Sequence, residues 1–354
     1  MSKKVVVGIS GGVDSSVAAY LLKQQGYEVV GLFMRNWKET DDSGHCTADT
    51  DYADALRVCA TLDIPFYTAD FSDEYWERVF LHFVDEYKKG RTPNPDVLCN
   101  REIKFKPFLE RARLAGADYI ATGHYCGVKR ENGRTYLTKA VDQNKDQTYF
   151  LNQLSEEQIK DVLFPLQGLK KDEVRKIAEE QGLITADKKD STGICFIGER
   201  KFREFLSQYI PMQEGDIVCD GKVVGRHQGV FFYTLGQRKG LGIGGEGERW
   251  FVIGKDVEKN VLYVSHGEDD CLFKSTLICE TFNWINGEPD EKSAPITARI
   301  RHRQPEQNAT YTILDSGEVR VDFECPQRAI AEGQYCVVYS GDICLGGGVI
   351  KTAL

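Results

Sequence analysis

The feature that most constrains the fold of this chain is the loop SGGVDSS at residues 10–16, which directly follows an apolar, β-branched run at residues 5–9. A short continuous apolar run of this kind is typical of a central strand in a parallel sheet. After the loop, apolar residues recur at helical spacing until Gly26. The glycines therefore lie where a strand passes into a helix, and backbone N–H groups and serine hydroxyls there can bind phosphate oxygens.

The chemistry of this loop differs from that of a Walker A loop, because Asp14 stands where a lysine would be needed. Its carboxylate could hold Mg²⁺ through an oxygen ligand. The SGGxDS pattern resembles the signature of the PP-loop ATP pyrophosphatases, which implies that ATP binds here and is cleaved to AMP and pyrophosphate. The alternative is an ordinary Gly-Ser turn with Asp14 as a helix cap. The predicted ATP-binding residues are Gly8, Ile9, Ser10, Gly11, Gly12, Val13, Asp14, Ser15, Ser16, Met34 and Gly123.

Composition and charge limit the class of protein. The chain has 354 residues, a net charge of −9 and 41% hydrophobic residues, which is ordinary for a globular protein of two or three domains. No apolar run is long enough to cross a bilayer, and the N-terminus lacks a signal-peptide pattern. The eleven cysteines include no C-x-x-C pair, so neither a disulfide framework nor a structural zinc site is indicated. We expect a cytoplasmic protein without a membrane partner or a structural metal site.

The order of the predicted elements indicates three domains. Residues 1–200 alternate strand-like and helix-like segments, which is typical of a doubly wound α/β domain with a mostly parallel sheet. Strands are expected at residues 29–34, 65–69 and 119–121, and helices at residues 52–62, 75–89 and 105–115. Residues 201–275 are expected to form a small β-rich domain, and residues 276–354, with alternating runs between turns, a β-barrel. Ligands of doubly wound sheets bind beyond the carboxyl ends of the strands, so the TGHY segment at residues 122–125 should lie near the SGGVDSS loop.

Two segments carry cysteines in polar, turn-rich surroundings. In TPNPDVLCN at residues 92–100, the two prolines predict a stiff loop rather than a helix, which would present Asp96 and Cys99 together. In DSTGICF, Cys195 follows Lys188 and a second lysine, and nearby cations favour the thiolate. Two such cysteines suggest sulfur chemistry. The alternatives are inert core thiols and, for the aspartate, an ordinary turn.

Taken together, the motifs resemble those of the tRNA 2-thiouridylases, sulfurtransferases that make 2-thiouridine at the wobble position of the anticodon. The likeness runs along the chain through SGGVDSS, NPDVLCN, TGHY, KDQTYFL, DSTGICF, YTLGQRKGLGIGG and ARIRHRQ. It implies that ATP adenylates the C2 oxygen of uridine 34 and that sulfur then replaces this oxygen as AMP leaves. It further implies Cys99 as the nucleophile, Cys195 as the persulfide carrier and Asp96 as a general acid or base.

RNA binding must be reconciled with the negative net charge, so local basic patches decide where phosphates bind. A strand over residues 297–303 would place Arg299, Arg301 and Arg303 on one face, where guanidinium groups suit phosphate binding; the alternative is a solvated strand face. The resemblance implies tRNA-contacting residues at Asn94, Pro95, Asp96, His124, Lys145, Asp146, Gln147, Arg301, His302 and Gln334. It also implies tRNAs for Lys, Glu and Gln as substrates, and a persulfide donor such as a cysteine desulfurase or a sulfur-relay protein.

Other interpretations stay open at this point. His124 could be a satisfied histidine at the end of a strand, and the segment at residues 236–245 could clamp a backbone or form a long turn. A different PP-loop enzyme could activate a small acid or a nucleotide for amidation, and it would need neither Cys99 nor Cys195. A nucleotide-binding RNA module without catalysis would bind tRNA but would release no pyrophosphate from ATP.

Overall fold

The computed structural model describes residues 2–38, 47–190, 202–244 and 248–354. Its first part is built on a five-stranded parallel sheet. In chain order, the strands of this part are β1 (Lys4–Gly8), β2 (Glu28–Arg35), β3 (Phe66–Asp70), β4 (Tyr119–Ala121), β5 (Gly127–Glu131), β6 (Arg134–Thr138) and β7 (Val162–Leu163). The helices are α1 (Val13–Gln24), α2 (Thr47–Thr61), α3 (Ser72–Tyr75), α4 (Leu81–Lys88), α5 (Pro95–Cys99), α6 (Pro107–Leu114), α7 (Glu156–Ile159) and α8 (Lys171–Glu180). Short π-helical turns occur at Trp76–Phe80 and Asn100–Lys104, and a 3₁₀ turn at Thr148–Leu151.

The sheet has the order β3-β2-β1-β4-β7, and all neighbouring strands run parallel. Successive side chains of β1 point to opposite faces. Val5 and Val7 pack in a core with α1, α2 and α8, whereas Val6 packs in a second core with α3 to α6. Because helices cover both faces, the strand is apolar on both sides, and the predicted doubly wound α/β fold is confirmed.

The second and third parts of the chain are mainly β-structure. The second contains α9 (Phe202–Leu206) and a four-stranded sheet of β8 (Gly215–Cys219), β9 (Lys222–His227), β10 (Trp250–Asp256) and β11 (Val261–His266), in the order β10-β11-β8-β9. The third contains β12 (Phe273–Trp284), β13 (Ser293–Arg299), β14 (Gln307–Ile313), β15 (Val319–Arg328), β16 (Tyr335–Ser340) and β17 (Ile343–Ala353). These six strands have the order β12-β15-β14-β13-β16-β17, and β17 also pairs with β12. The barrel is therefore closed, and the predicted C-terminal β-barrel is confirmed.

The three parts pack against one another. The hairpin β5-β6 comes from the first part but extends the barrel sheet, because Thr138 of β6 pairs with Ile343 of β17. One apolar cluster includes Tyr149 from the first part, Leu262 from the second and Tyr339 from the third. Among the described residues, no helix is both long and apolar enough to span a membrane.

The prediction of a loop across the two prolines of residues 92–100 is wrong. The helix α5 begins at Pro95, and Asn94 is its N-cap. Proline fits the first position of a helix because the backbone N–H that it lacks would have no intrahelical partner there. Cys99 is consequently the last residue of a helix and not part of a loop.

The predicted strand over residues 297–303 is also wrong in its second half. The strand β13 ends at Arg299. A turn follows, in which Arg303 has a φ of 65°. Without a continuous strand, Arg299, Arg301 and Arg303 do not share one sheet face.

Candidate nucleotide and tRNA site

The loop at residues 10–16 is shaped by its own hydrogen bonds. The hydroxyls of Ser15 and Ser16 donate to the carbonyl of Gly12 at 3.1 and 2.8 Å, and the Ser10 N–H donates to Ser15 Oγ at 3.1 Å. Gly12 is the N-cap of α1 and makes no side-chain capping bond. The N-terminus of α1 therefore opens at the loop, and its backbone N–H groups and dipole favour an anion there.

Two glycines allow close packing around this loop. A Cβ atom on Gly123 would lie 2.7 Å from the backbone nitrogen of Ser15, so the residues that follow β4 contact the loop directly. A Cβ atom on Gly8 would lie 3.4 Å from Cε of Met34. The structure thus brings together the ATP-binding residues that were predicted on β1, β2 and the end of β4.

Lys171 belongs to this site, and the sequence analysis missed it. It begins α8, and its Nζ lies 2.7 and 2.8 Å from the two carboxylate oxygens of Asp14. The hydroxyl of Tyr125 donates to the same carboxylate at 2.8 Å. Because Lys171 is only 8% exposed, a nearly buried cation lies beside the loop. No local pattern distinguishes this lysine from its neighbours in LKKDEVRK.

The contacts of Asp14 decide whether it can hold Mg²⁺ as it stands. Both of its carboxylate oxygens contact the ammonium group of Lys171. Across the described ranges, no group of three His, Cys, Asp or Glu side chains is arranged to hold a metal ion. These residues therefore do not form a ready-made Mg²⁺ site.

Asp190, the last described residue before Cys195 in the sequence, contacts three cations near the loop. Its carboxylate contacts Lys145 at 2.5 Å, Lys171 at 2.8 Å and Arg175 at 3.1 Å. Burial opposes its ionisation, but hydrogen bonds from Lys145 and Lys171 outweigh this effect and lower the pKa of Asp190 to about 2. Cys195 itself lies outside the described residues.

Lys188, one of the two lysines expected to favour a thiolate at Cys195, is paired with two carboxylates. Its Nζ lies 2.7 Å from Asp51 and 2.6 Å from Asp54, which are one turn apart on α2. Carboxylates three residues apart on a helix lie on the same face, so both reach one ammonium group. The ammonium group of Lys188 is therefore paired with carboxylates of α2.

Cys99 and Asp96 lie on the same short helix, α5. Cys99 is 2% exposed, so its thiol is inside the protein. Burial raises the pKa of Asp96, and the positive charge of Lys104 opposes this shift. A carboxyl group with a raised pKa is suited to exchange protons closer to neutral pH.

His124 is a buried, neutral histidine. It is 9% exposed, and its Nδ1 lies 2.7 Å from Oγ1 of Thr122. Its ring packs near the rings of Phe105 and Phe164. Burial and, to a smaller extent, the charge of Lys104 lower the pKa of His124 well below its usual value. These contacts are those of a satisfied histidine at the end of a strand, and Gly123, the residue before it, contacts the loop.

Two segments with predicted tRNA contacts meet although they are far apart in sequence. His302 Nε2 lies 3.3 Å from the carbonyl oxygen of Asp146, across a separation of 156 residues. The ring of His302 lies 4.4 Å from that of Phe150, measured between centroids. Arg301 donates to the carbonyl of Ala329. The turn after β13 and the segment before the 3₁₀ turn therefore form one continuous region.

Other predicted RNA-binding residues are engaged inside the protein. Asp146 is 2% exposed, and its carboxylate contacts Arg299 at 3.0 Å. Arg299 is 5% exposed and also contacts Glu306 at 2.9 Å, so the predicted row of phosphate-binding arginines is wrong. Its guanidinium group pairs instead with the buried Asp146 and the partly buried Glu306. The amide of Gln334 donates to the carbonyl of Thr92 at 2.7 Å.

The fold and the loop define the class of this protein. A parallel sheet in which SGGVDSS follows β1 and forms the N-terminus of α1 is an ATP-using α/β domain of the PP-loop class. Residues 3–199 match the family described as "tRNA methyl transferase HUP domain". Residues 203–266 match "tRNA methyl transferase PRC-barrel domain", and residues 274–350 match "Aminomethyltransferase beta-barrel domain".

Curated relatives identify the family within this class. The tRNA-specific 2-thiouridylase MnmA of Staphylococcus carnosus is 56% identical over 350 residues, which cover 98% of this chain and 95% of that protein. The protein of the same name from Oceanobacillus iheyensis is 56% identical over 354 residues, which cover 99% and 95%. The chain belongs to the tRNA-specific 2-thiouridylase family. Among solved structures, the U34-tRNA thiolase NcsA from Methanococcus maripaludis matches 59% of this chain and 65% of that chain at 21% identity, with a TM-score of 0.37.

Proposed function

We propose that this protein is a sulfurtransferase that uses ATP to replace the C2 oxygen of uridine 34 in tRNA with sulfur. The observation that carries this proposal concerns residues 145–150. Lys145 pairs with Asp190, whose carboxylate also contacts the lysine beside the ATP loop. The carbonyl of Phe150 accepts a hydrogen bond from the residue that follows Cys99. One segment with predicted tRNA contacts therefore touches both the network of the ATP loop and the helix of the nucleophile.

The reaction needs two steps because an oxygen on C2 is a poor leaving group. In the first step, the C2 oxygen attacks the α-phosphate of ATP, and pyrophosphate leaves toward the loop at residues 10–16, where a helix N-terminus stabilises the anion. Asp96 exchanges the proton that uridine must lose, since its raised pKa suits this task.

Sulfur transfer is the second step. The terminal sulfur of a persulfide on Cys195 attacks C2, and AMP leaves with the original oxygen. The thiolate of Cys99 then attacks the Cys195 sulfur, which breaks the S–S bond to the transferred atom and leaves that atom on C2. The product is a disulfide between Cys99 and Cys195, which an external thiol reductant must reduce before the next cycle.

The partners follow from this chemistry. Mg²⁺ enters together with ATP, since Asp14 is occupied by Lys171. The sulfur comes from a persulfide donor such as a cysteine desulfurase or a sulfur-relay protein, and the substrates are the tRNAs for Lys, Glu and Gln, in the cytoplasm. The contact residues include Asn94, Pro95, His124, Lys145, Gln147, Arg301, His302 and Gln334. We assign the ATP-binding part to residues 1–200, the central part to 201–275 and the tRNA-binding barrel to 276–354.

The test is mass analysis of nucleosides from tRNA incubated with the protein, ATP, Mg²⁺ and a persulfide donor. The expected result is a uridine mass gain that matches replacement of oxygen by sulfur, with AMP and pyrophosphate formed in the same reaction. Cys99→Ser and Cys195→Ser should each abolish the mass gain, whereas Cys325→Ser, at an exposed position on the barrel, should retain it.

Two results would overturn the proposal. Full thiolation by both active-site variants would show that the thiols are not needed, as in an enzyme for amidation. Binding of tRNA without pyrophosphate release from ATP would indicate a module without catalysis.

A further inference from the structure

The residue directly after Cys99 has an unusual set of contacts. Asn100 is 2% exposed, and its side-chain Nδ2 donates to the carbonyl oxygen of Phe150 at 3.1 Å. Its Oδ1 is buried and has no hydrogen-bond partner among the described residues. A flipped amide would place Oδ1 against the carbonyl oxygen, so the Phe150 contact fixes the assignment. The side chain of Asn100 therefore has a donor, Nδ2, that is hydrogen-bonded and a buried acceptor, Oδ1, that is not.

The backbone changes character at the same position. The helix α5 ends at Cys99, and a π-helical turn follows at Asn100–Lys104, closed by a bond from the Phe105 N–H to the Asn100 carbonyl at 2.9 Å. Single π turns in helices are rare and frequently lie at functional sites. The side chain of Asn100 thus anchors the chain where the helix that carries Cys99 widens.

The segment that contains Phe150 is hydrogen-bonded to the barrel. The hydroxyl of Tyr149 donates to the carbonyl of Tyr335 in β16 at 3.0 Å, and Gln153 Nε2 donates to the carbonyl of Gly347 in β17 at 2.6 Å. The ring of Phe150, between these two residues, contacts His302 of the barrel. The Phe150 carbonyl, which accepts the hydrogen bond from Asn100, therefore belongs to a segment that is bound to the barrel and not to the ATP-binding sheet.

We propose that Asn100 is a positioning residue that sets the Cys99 thiol relative to the barrel-bound tRNA. The adenylation step depends less on this contact, because the loop at residues 10–16 and Lys171 lie on other elements and Asp96 is three residues further from Asn100 than Cys99 is. The inference rests on the proposed function, since it assumes that Cys99 completes sulfur transfer. Loss of the Asn100 side-chain amide should therefore separate the two steps. ATP still adenylates the tRNA and releases pyrophosphate, but sulfur transfer fails.

The test measures pyrophosphate and 2-thiouridine in the same reaction with full-length protein, tRNA, ATP and persulfide donor. Asn100→Leu keeps the side-chain size and removes the donor. The expected result is a 2-thiouridine yield that falls by at least about ten-fold while pyrophosphate formation falls by less than about two-fold, because small displacements of a reacting group are costly. The ratio of pyrophosphate to 2-thiouridine therefore rises several-fold. Asn100→Ser should raise the ratio in the same way, because the serine side chain is too short to reach Phe150. This variant takes the place of Asn100→Leu if the leucine variant does not fold.

Asn283→Leu is the matched control. Asn283 also anchors this region, since its Nδ2 donates to the carbonyls of Asn152 and Leu154, both at 2.8 Å, but it is not next to Cys99. A general loss of structure lowers both products together, so this variant should keep the wild-type ratio. A wild-type ratio in both Asn100 variants, with full or with equally reduced activity, would refute the positioning role. If the wild-type protein makes no 2-thiouridine at all, it is the proposed function that fails.

Discussion

The buried ion pair between Arg299 and Asp146 allows the sharpest test of how the barrel is attached. Arg299 is on β13, Asp146 belongs to the first part of the chain, and their side chains are 6% and 0% exposed at a separation of 3.0 Å. Arg299 also contacts Glu306, which has a second partner in Lys139. Asp146 is therefore the carboxylate that depends most on this guanidinium group.

The perturbation is Arg299→Met, which keeps an apolar side chain but removes the charge. Removing one partner of a buried ion pair leaves an uncompensated charge and costs about 3–5 kcal/mol of unfolding free energy. An exposed pair costs no more than about 1 kcal/mol. Arg320→Met is the control, because Arg320 pairs with Asp322 at the surface, where the side chains are 49% and 37% exposed.

The loss should depend on pH in a defined direction. Burial already raises the pKa of Asp146, against the opposing effects of the Thr148 hydroxyl and Arg299. Without Arg299 the folded-state pKa rises further above the unfolded value of about 3.9. A group with a raised folded-state pKa stabilises the protein most below its unfolded pKa, and this stability is lost as pH rises toward the folded pKa, by about 1.4 kcal/mol per pH unit. The deficit of Arg299→Met should thus grow as pH rises above about 3.9 toward the folded-state pKa of Asp146 in the variant.

The assay is urea-induced unfolding of the full chain at several pH values. The double variant Arg299→Met with Asp146→Asn should be more stable than Arg299→Met alone, because it no longer buries an unpaired carboxylate. The reasoning is refuted if Arg299→Met is no more destabilising than Arg320→Met. A deficit that does not change with pH would refute the assignment of the loss to Asp146.

Three further predictions concern the site. Lys171→Met should lower tRNA-dependent pyrophosphate release from ATP at least about ten-fold, because the buried cation beside the loop is lost, whereas exposed Lys176→Met should not. Gly123→Ala should weaken ATP binding, measured by calorimetry, since its Cβ would lie 2.7 Å from a loop nitrogen, while Gly168→Ala has open space and should bind normally. Thiolation should decline as pH falls through the raised pKa of Asp96, because only the carboxylate accepts a proton, and a retained profile in Asp96→Asn would contradict this role.

The parts of the fold that could be predicted are those fixed by local patterns. The run at residues 5–9 is apolar at every position except Gly8, which is typical of a strand covered on both faces. The expected strands at 29–34 and 119–121 correspond to β2 and β4, which flank β1. Once these strands are parallel, the loop after β1 and Gly123 after β4 must lie at the same edge of the sheet.

The failures come from contacts that no local pattern contains. Alternating arginines suggest one exposed face, but Arg299 is paired with Asp146, which is 153 residues away in sequence. In the same way, Lys171 is identified by its contact with Asp14, 157 residues away. A sequence pattern gives the side-chain period of an element, but it does not give the partner that a charge meets across the fold.

The packing of residues 146–153 makes the barrel part of one structural unit with the α/β domain and not a separate appendage. Tyr149 and Leu151 are fully buried in an apolar cluster that includes Tyr335 and Val337 of the barrel. Removing the barrel would expose this surface and would leave the buried carboxylate of Asp146 without its guanidinium partner, so the remaining part would lose both apolar burial and charge pairing. The same residues carry the carbonyl that anchors the chain after the helix of Cys99. The barrel is therefore packed as one structural unit with the helix that carries Cys99, even though its strands contain none of the proposed catalytic residues.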